Sequence, residues 1–199
     1  MSGRKVLKVL HVIPSYVPAY RYGGPIWVVH GLAKALVQNG HQVTVYTTNI
    51  DGAGRLNVAL DTDIEVDGVT VRYFPVRLLA RLHWAPDMLS RLKKEAHSFD
   101  VVHIHSVFLW PTSAAAAAAR AAGVPYVISP HGMLIKDLFD RKGYLRKYVW
   151  LFAFGRQVLK RAAVVHVSSR YEAREISKLP VEFSRLETVE QGIDEVADK

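Results

Sequence analysis

In an open parallel sheet, ligands bind beyond the carboxyl ends of the strands. The residues that follow each short β-branched run are therefore the first place to look for chemistry. After the run over residues 6–13 comes PSYVPAYRYGGP. Gly23 and Gly24 carry no side chains, so an anion can approach their amides at the positive end of a helix that starts near Pro25. The other reading is a turn in which glycine supplies a positive φ. The pair is not the Gly-x-Gly-x-x-Gly dinucleotide fingerprint, which argues against a nicotinamide enzyme.

A second run ends in DVVHIHS, where His103 and His105, two apart in a strand, share one face. Metal ligation is the sharper reading. No third ligand stands at a supporting spacing, so the expectation is no metal, with His105 lining a cleft. A third run leads into SPHGML. Pro130 stiffens the approach to His131, and Gly132 leaves room beside the imidazole for a ligand. A histidine there can donate a hydrogen bond or move a proton, or it can simply hold the loop. Ser169 with Glu172 has the spacing of a capping box.

The elements that position these residues follow from patterning. Strands are predicted over residues 6–13, 42–47, 101–105, 125–129 and 164–167. They are apolar at nearly every position, as parallel strands covered on both faces require. Helices are predicted over 25–39, with Val28, Leu32 and Leu36 on its buried face, and over 84–98, 112–122, 144–161 and 170–178. Asp67-Gly68, flanked by alternating apolar residues, predicts a hairpin within 61–76, an antiparallel excursion in a parallel sheet. The fold class is α/β: a doubly wound, mostly parallel Rossmann-like sheet with a hairpin insertion, one domain over residues 1–199.

Composition narrows the function classes. The 199 residues are 50% apolar, contain no cysteine and carry a formal net charge of +8. Disulfide and thiolate-metal chemistry are excluded, and a cytoplasmic setting is expected. Lys8, His11 and Pro14 interrupt the first apolar stretch, which argues against a signal peptide. The charge admits anionic membranes, nucleic acid or phosphorylated small molecules. The stretch RKGYLRKYVWLFAFGRQVLKR mixes aromatic and basic residues. It reads as a helix burying Leu145, Val149, Phe152 and Leu159, or as a surface against anionic lipid. No nucleic-acid motif supports a nucleic-acid partner.

Taken in order, KVLHVIPSYVPAYRYGGPIWVVHGLAKALVQNGHQVTVYT, DVVHIHS, PYVISPHGML, RKYVWLFAFGRQVLKRAAVVHVSS and EQGID resemble glycosyltransferase family 4, retaining enzymes of the GT-B fold. In the last motif Glu190 and Gln191 stand where that family usually has proline and asparagine. The resemblance implies the N-terminal, acceptor-side domain of a two-domain enzyme. That enzyme would move a sugar from a nucleotide-sugar donor to a glycan, lipid-linked or small-molecule acceptor, as in surface polysaccharide assembly.

Further implications concern residues. Gly23 and Gly24 would contact the donor diphosphate and His131 would approach the reaction centre. Tyr22, His105, Ser106, Gly132 and Met133 would line the sugar and acceptor, without metal or cofactor. The donor-binding domain, with its basic pair and Glu-x7-Glu motif, has no room in this sequence. It is expected in cis or in trans, and this chain alone is expected to be inactive. The competing reading is a non-enzymatic sugar- or partner-binding module.

Overall fold

The computed structural model describes residues 5–139 and 144–192. In chain order the elements are β1 Lys8–Val12, α1 Gly24–Gln38, β2 Gln42–Thr48, β3 Ile50–Asp51, β4 Gly54–Arg55, β5 Asp63–Val66, β6 Val69–Phe74 and α2 Pro86–Glu95. They continue with β7 Val101–His105, α3 Trp110–Ala121, β8 Tyr126–Ser129, α4 Lys136–Phe139, α5 Tyr144–Trp150, a π turn Leu151–Gly155, α6 Arg156–Lys160, β9 Val164–Val167, α7 Arg170–Ile176 and β10 Leu186–Thr188.

Eight strands form one sheet in the order β10-β9-β8-β7-β1-β2-β6-β5. All neighbours are parallel except β5 against β6. The chain leaves β1 toward β2 on one side and returns to β7 on the other, so the order reverses at β1 and β7. That reversal opens a crevice at their carboxyl ends.

Local sequence explains the main elements. Pro25 sits in the first turn of α1, where its missing N–H costs nothing. The helix stops where Gly40 takes φ +84°. In α3 the side chains of Ala114, Ala115, Ala116, Ala118 and Ala119 are buried; their small size lets the helix lie close to the sheet. Asp67 and Gly68 both adopt positive φ, 52° and 80°, as a two-residue hairpin turn needs.

The hairpin forms as expected, an antiparallel pair in an otherwise parallel sheet: β6 pairs parallel with β2, and β5, at the edge, runs antiparallel to β6. Two expectations are corrected. On α1 the buried stripe is Ile26, Val29, His30 and Ala33, with Leu32 exposed. That stripe packs with Val9, Ile13 and Val45, on the face of the sheet opposite Leu10 and Val12. Along residues 144–160, Leu151, Val158 and Leu159 are buried, whereas Leu145, Val149 and Phe152 are exposed at 65%, 60% and 54%. The π turn inserts an extra residue into the helix and shifts its apolar stripe. Arg141, Lys142, Ile193 and Asp194 lie outside the described residues.

Candidate functional site

Period-two alternation decides which side chains reach the α1 side of the sheet. Leu10 and Val12, Val102 and Ile104, Tyr126 and Ile128, and Val165 and Val167 all join the core on the α3 side. Their alternates therefore point the other way: His11 on β1, His103 and His105 on β7, Ser129 on β8 and His166 on β9. Helix α1 packs on β2 and β6. Beside it, over β7, β8 and β9, a cleft of about 600 Å³ opens. Its floor is His103, His105, Ser129, His131 and His166, one wall is the Trp27–Ala35 side of α1, and Gln191 closes one end.

Two strings of hydrogen bonds order this floor. In the first, His11 Nδ1 lies 2.8 Å from His105 Nε2, and His105 Nδ1 lies 3.0 Å from His131 Nε2. Gln191 Nε2 stands 3.4 Å from His131 Nδ1. In the second, His103 Nε2 lies 2.8 Å from Ser129 Oγ, which lies 2.7 Å from His166 Nδ1. His166 Nε2 then donates to the Val189 carbonyl at 2.9 Å. That carbonyl can only accept, so the second string has one direction: His166 holds its proton on Nε2, Ser129 donates to His166, and His103 donates to Ser129. It ties residues 189–192 to the sheet and so sets Gln191 at the cleft.

Burial keeps His11, His103, His105 and His131 neutral. Desolvation lowers His11 and His131 to about 4 and holds His103 and His105 well below the ordinary imidazole value, with neighbouring imidazoles adding to the effect. The sequence offered no third ligand beside His103 and His105. The fold supplies His11, and the three place ring nitrogens within 4.8 Å of one another. A transition metal could use such a cluster, but it would have to break the hydrogen bonds that tie His105 to His11 and His131 and His103 to Ser129.

The loops past β7 and β8 carry unusual backbone. Ser106, Phe108 and His131 adopt φ of 70°, 67° and 51°, a region costly for residues other than glycine. Ser106 is held by its N–H to Ser129 O, 2.9 Å, and by its own carbonyl, which accepts from Thr112 Oγ1 at 3.0 Å. Gly132, at φ +78°, gives its N–H to Glu172 Oε1 at 2.6 Å. The other oxygen of Glu172 accepts from the Ser168 amide and hydroxyl, each at 3.0 Å. Only half of the expected capping box forms: Ser169 Oγ accepts from the Glu172 amide at 3.1 Å, while the carboxylate turns to Ser168 and across to the His131 loop.

His105 and His131 thus come together at the cleft. The other expected residues lie around it and not on its lining. Gly23, at φ +68°, donates to Tyr20 O at 3.1 Å, whereas Gly24 presents a first-turn amide with nothing within 4 Å of where a Cβ would be. Tyr22 is turned away: its hydroxyl accepts from Gly52 N–H at 3.0 Å, and its ring meets His83 edge-on. Met133 packs against the core. Sequence reasoning missed His11, His166 and Gln191; the visible signal was a histidine in each of the runs VLHV, VHIH and VVHV.

A third polar string braces α1. Tyr16 Oη lies 2.8 Å from His30 Nδ1, and His30 Nε2 lies 2.8 Å from Asp67 Oδ2 in the hairpin turn.

The family profile described as glycosyl transferase 4-like domain matches residues 23–192. No curated protein matches by sequence. Among solved structures, HepE from Anabaena, crystallised with UDP-glucose, is 18% identical with a TM-score of 0.64, covering 94% of this chain and 44% of that one. Sucrose-phosphate synthase from Thermosynechococcus elongatus is 14% identical with a TM-score of 0.65, over 94% and 48%. UDP-GlcNAc 2-epimerase from Methanocaldococcus jannaschii is 11% identical with a TM-score of 0.56, over 93% and 46%. At these identities the likeness is one of fold, and it agrees with the α/β GT-B expectation. The chain spans less than half the length of each of these three.

Proposed function

We propose that this chain, which belongs to the glycosyl transferase 4-like domain family, forms the acceptor-side wall of a retaining sugar transferase that uses a nucleotide-sugar donor. The fold alone does not select transfer, since an epimerase shares it; the family does. The observation that carries the reading is His131. It stands past the end of β8 in a left-handed conformation and lines the cleft with His105. Donor-bound HepE, solved with UDP-glucose, supports the donor class.

In this reading the donor's anomeric C–O bond to the diphosphate breaks and a C–O bond to the acceptor hydroxyl forms on the same face. The departing phosphate takes the acceptor proton. The exposed Gly24 amide and the α1 dipole stabilise the charge that develops on the diphosphate. His131 contacts the transferred sugar. The reaction as proposed uses no metal and no cofactor, and the donor-binding half lies in a further domain, in cis or in trans.

The acceptor we favour is a lipid-linked glycan at an anionic membrane surface. The exposed Leu145, Val149, Phe152 and Phe154 support this, with Arg156 over the Phe152 ring at 5.3 Å. Among the described residues no helix is long and apolar enough to cross a membrane; the contact we propose is a peripheral one.

A screen of nucleotide sugars against the intact protein, with products weighed by mass spectrometry, tests the reading. Sugar transfer is expected, and His131→Ala should lower turnover by roughly 10²–10³-fold without unfolding the protein. Unchanged turnover in that variant sinks the role of His131. Ligand binding without any product favours a binding module instead.

A further inference from the structure

His11, His105 and His131 form a string of three imidazoles from the sheet interior to the cleft, with ring nitrogens 2.8 and 3.0 Å apart. Each contact needs one donor and one acceptor, and a neutral imidazole has one of each. The direction at one end therefore fixes the direction throughout. At the inner end His11 is fully buried, and its Nε2 has no partner among the described residues. If the protons pointed inward, that nitrogen would carry an N–H with nothing to accept it. If they point outward, it carries only an unused lone pair. Buried N–H groups without partners are rarer than unfilled acceptors, so the outward direction prevails.

We infer that His11 and His105 are positioning residues that hold His131 as a neutral hydrogen-bond donor, its Nδ1–H directed toward the cleft. His11 donates from Nδ1 to His105 Nε2, and His105 donates from Nδ1 to His131 Nε2. Gln191 then turns its amide oxygen, not its nitrogen, to His131 Nδ1; exchanging the two leaves its shape unchanged. Donors aligned in one direction polarise one another, which strengthens the last one. A cleft group facing His131 must accept: a sugar hydroxyl oxygen or a phosphate oxygen. With Nδ1 already protonated, His131 cannot take a proton from the acceptor. The inference deepens the proposed transfer reaction and rests on it only for the identity of the accepting group.

The test needs no substrate, so its failure is separable from failure of the transferase reading. Ring nitrogens of this chain, labelled with ¹⁵N, are read by long-range proton–nitrogen NMR at neutral pH. His131 is expected as the Nδ1–H tautomer, and His166, fixed by the Val189 carbonyl, serves as the internal Nε2–H reference. Finding His131 protonated on Nε2 overturns the inference, whatever any variant does. His11→Phe keeps a ring in place and removes the inner donor. It should convert His131 to a mixture of tautomers while His166 stays unchanged; an unmoved His131 in a folded variant also overturns it. Zinc added to the wild-type sample should leave the His11 and His105 signals in place, and coordination at those rings would replace the string with a metal site and refute it.

Discussion

His131 occupies a left-handed conformation that costs a non-glycine residue about 1–2 kcal/mol, so something outside the loop must hold it. That restraint is Glu172, 2% exposed, whose two oxygens take N–H and O–H donors from Gly132 and Ser168. An amide in its place would turn two donor hydrogens toward groups that are themselves donors. Glu172→Gln is therefore expected to cost about 1–3 kcal/mol of stability, read as a lower urea midpoint. Glu187→Gln, on an exposed pair with Arg185, should change it little. Glu172→Gln should also lower turnover of the intact protein by loosening His131. The sequence displayed Glu172 only as a capping-box acid, because its partner Gly132 is 40 residues away and spacing rules see a single turn of helix.

At the scale of elements, the helix of residues 144–160 departs most from its sequence pattern. A regular helix would have buried Leu145, Val149 and Phe152, and the π turn leaves them outside. Gly155, the last residue of that turn, leaves room for Trp150. A Cβ there would fall 2.3 Å from Trp150 Cζ3, so the indole lies where a side chain at 155 would be, and it packs edge-on against Phe108 at 5.0 Å. Gly155→Ala should displace Trp150 and cost about 1–3 kcal/mol by overpacking; a melting temperature equal to wild type would show that the indole is not seated there. The exposed face makes a second prediction. The chain should sediment with vesicles containing anionic lipid and much less with neutral ones. Replacing Phe152 and Phe154 together by serine should weaken that binding, while added salt weakens the wild type's. Binding that ignores lipid charge and both phenylalanines would remove the membrane reading.

For the molecule as a whole, strand runs, the order of helices and the parallel sheet were legible because apolar runs, Pro25, Gly40 and Asp67-Gly68 report local geometry. The histidine floor was not, because His11, His103 and His166 lie on strands far apart in sequence, and only the register, His11 beside His103, brings them together. Their convergence makes the entire fold sensitive to acid. A histidine whose folded pKa is depressed binds fewer protons folded than unfolded across the window between the two values. Its contribution is complete above about 6.5 and drains as pH falls. His11 and His131, lowered from 6.5 to about 4 by burial, each lose about 1.4 kcal/mol per pH unit in that window. Together that removes about 4 kcal/mol by pH 5, a large share of a typical domain's 5–15 kcal/mol. His103 and His105 act in the same direction. Carboxylates do not confuse the window: Asp67 and Asp100, lowered by hydrogen bonds from His30 and the Lys8 amide, matter only below their ordinary value of 3.8. Asp61, raised by burial, opposes the trend just above that value. The urea midpoint should therefore fall steadily from pH 7 to pH 5, and His11→Phe should flatten the slope. A midpoint constant over that range would mean that the cleft floor already takes up protons in the folded protein.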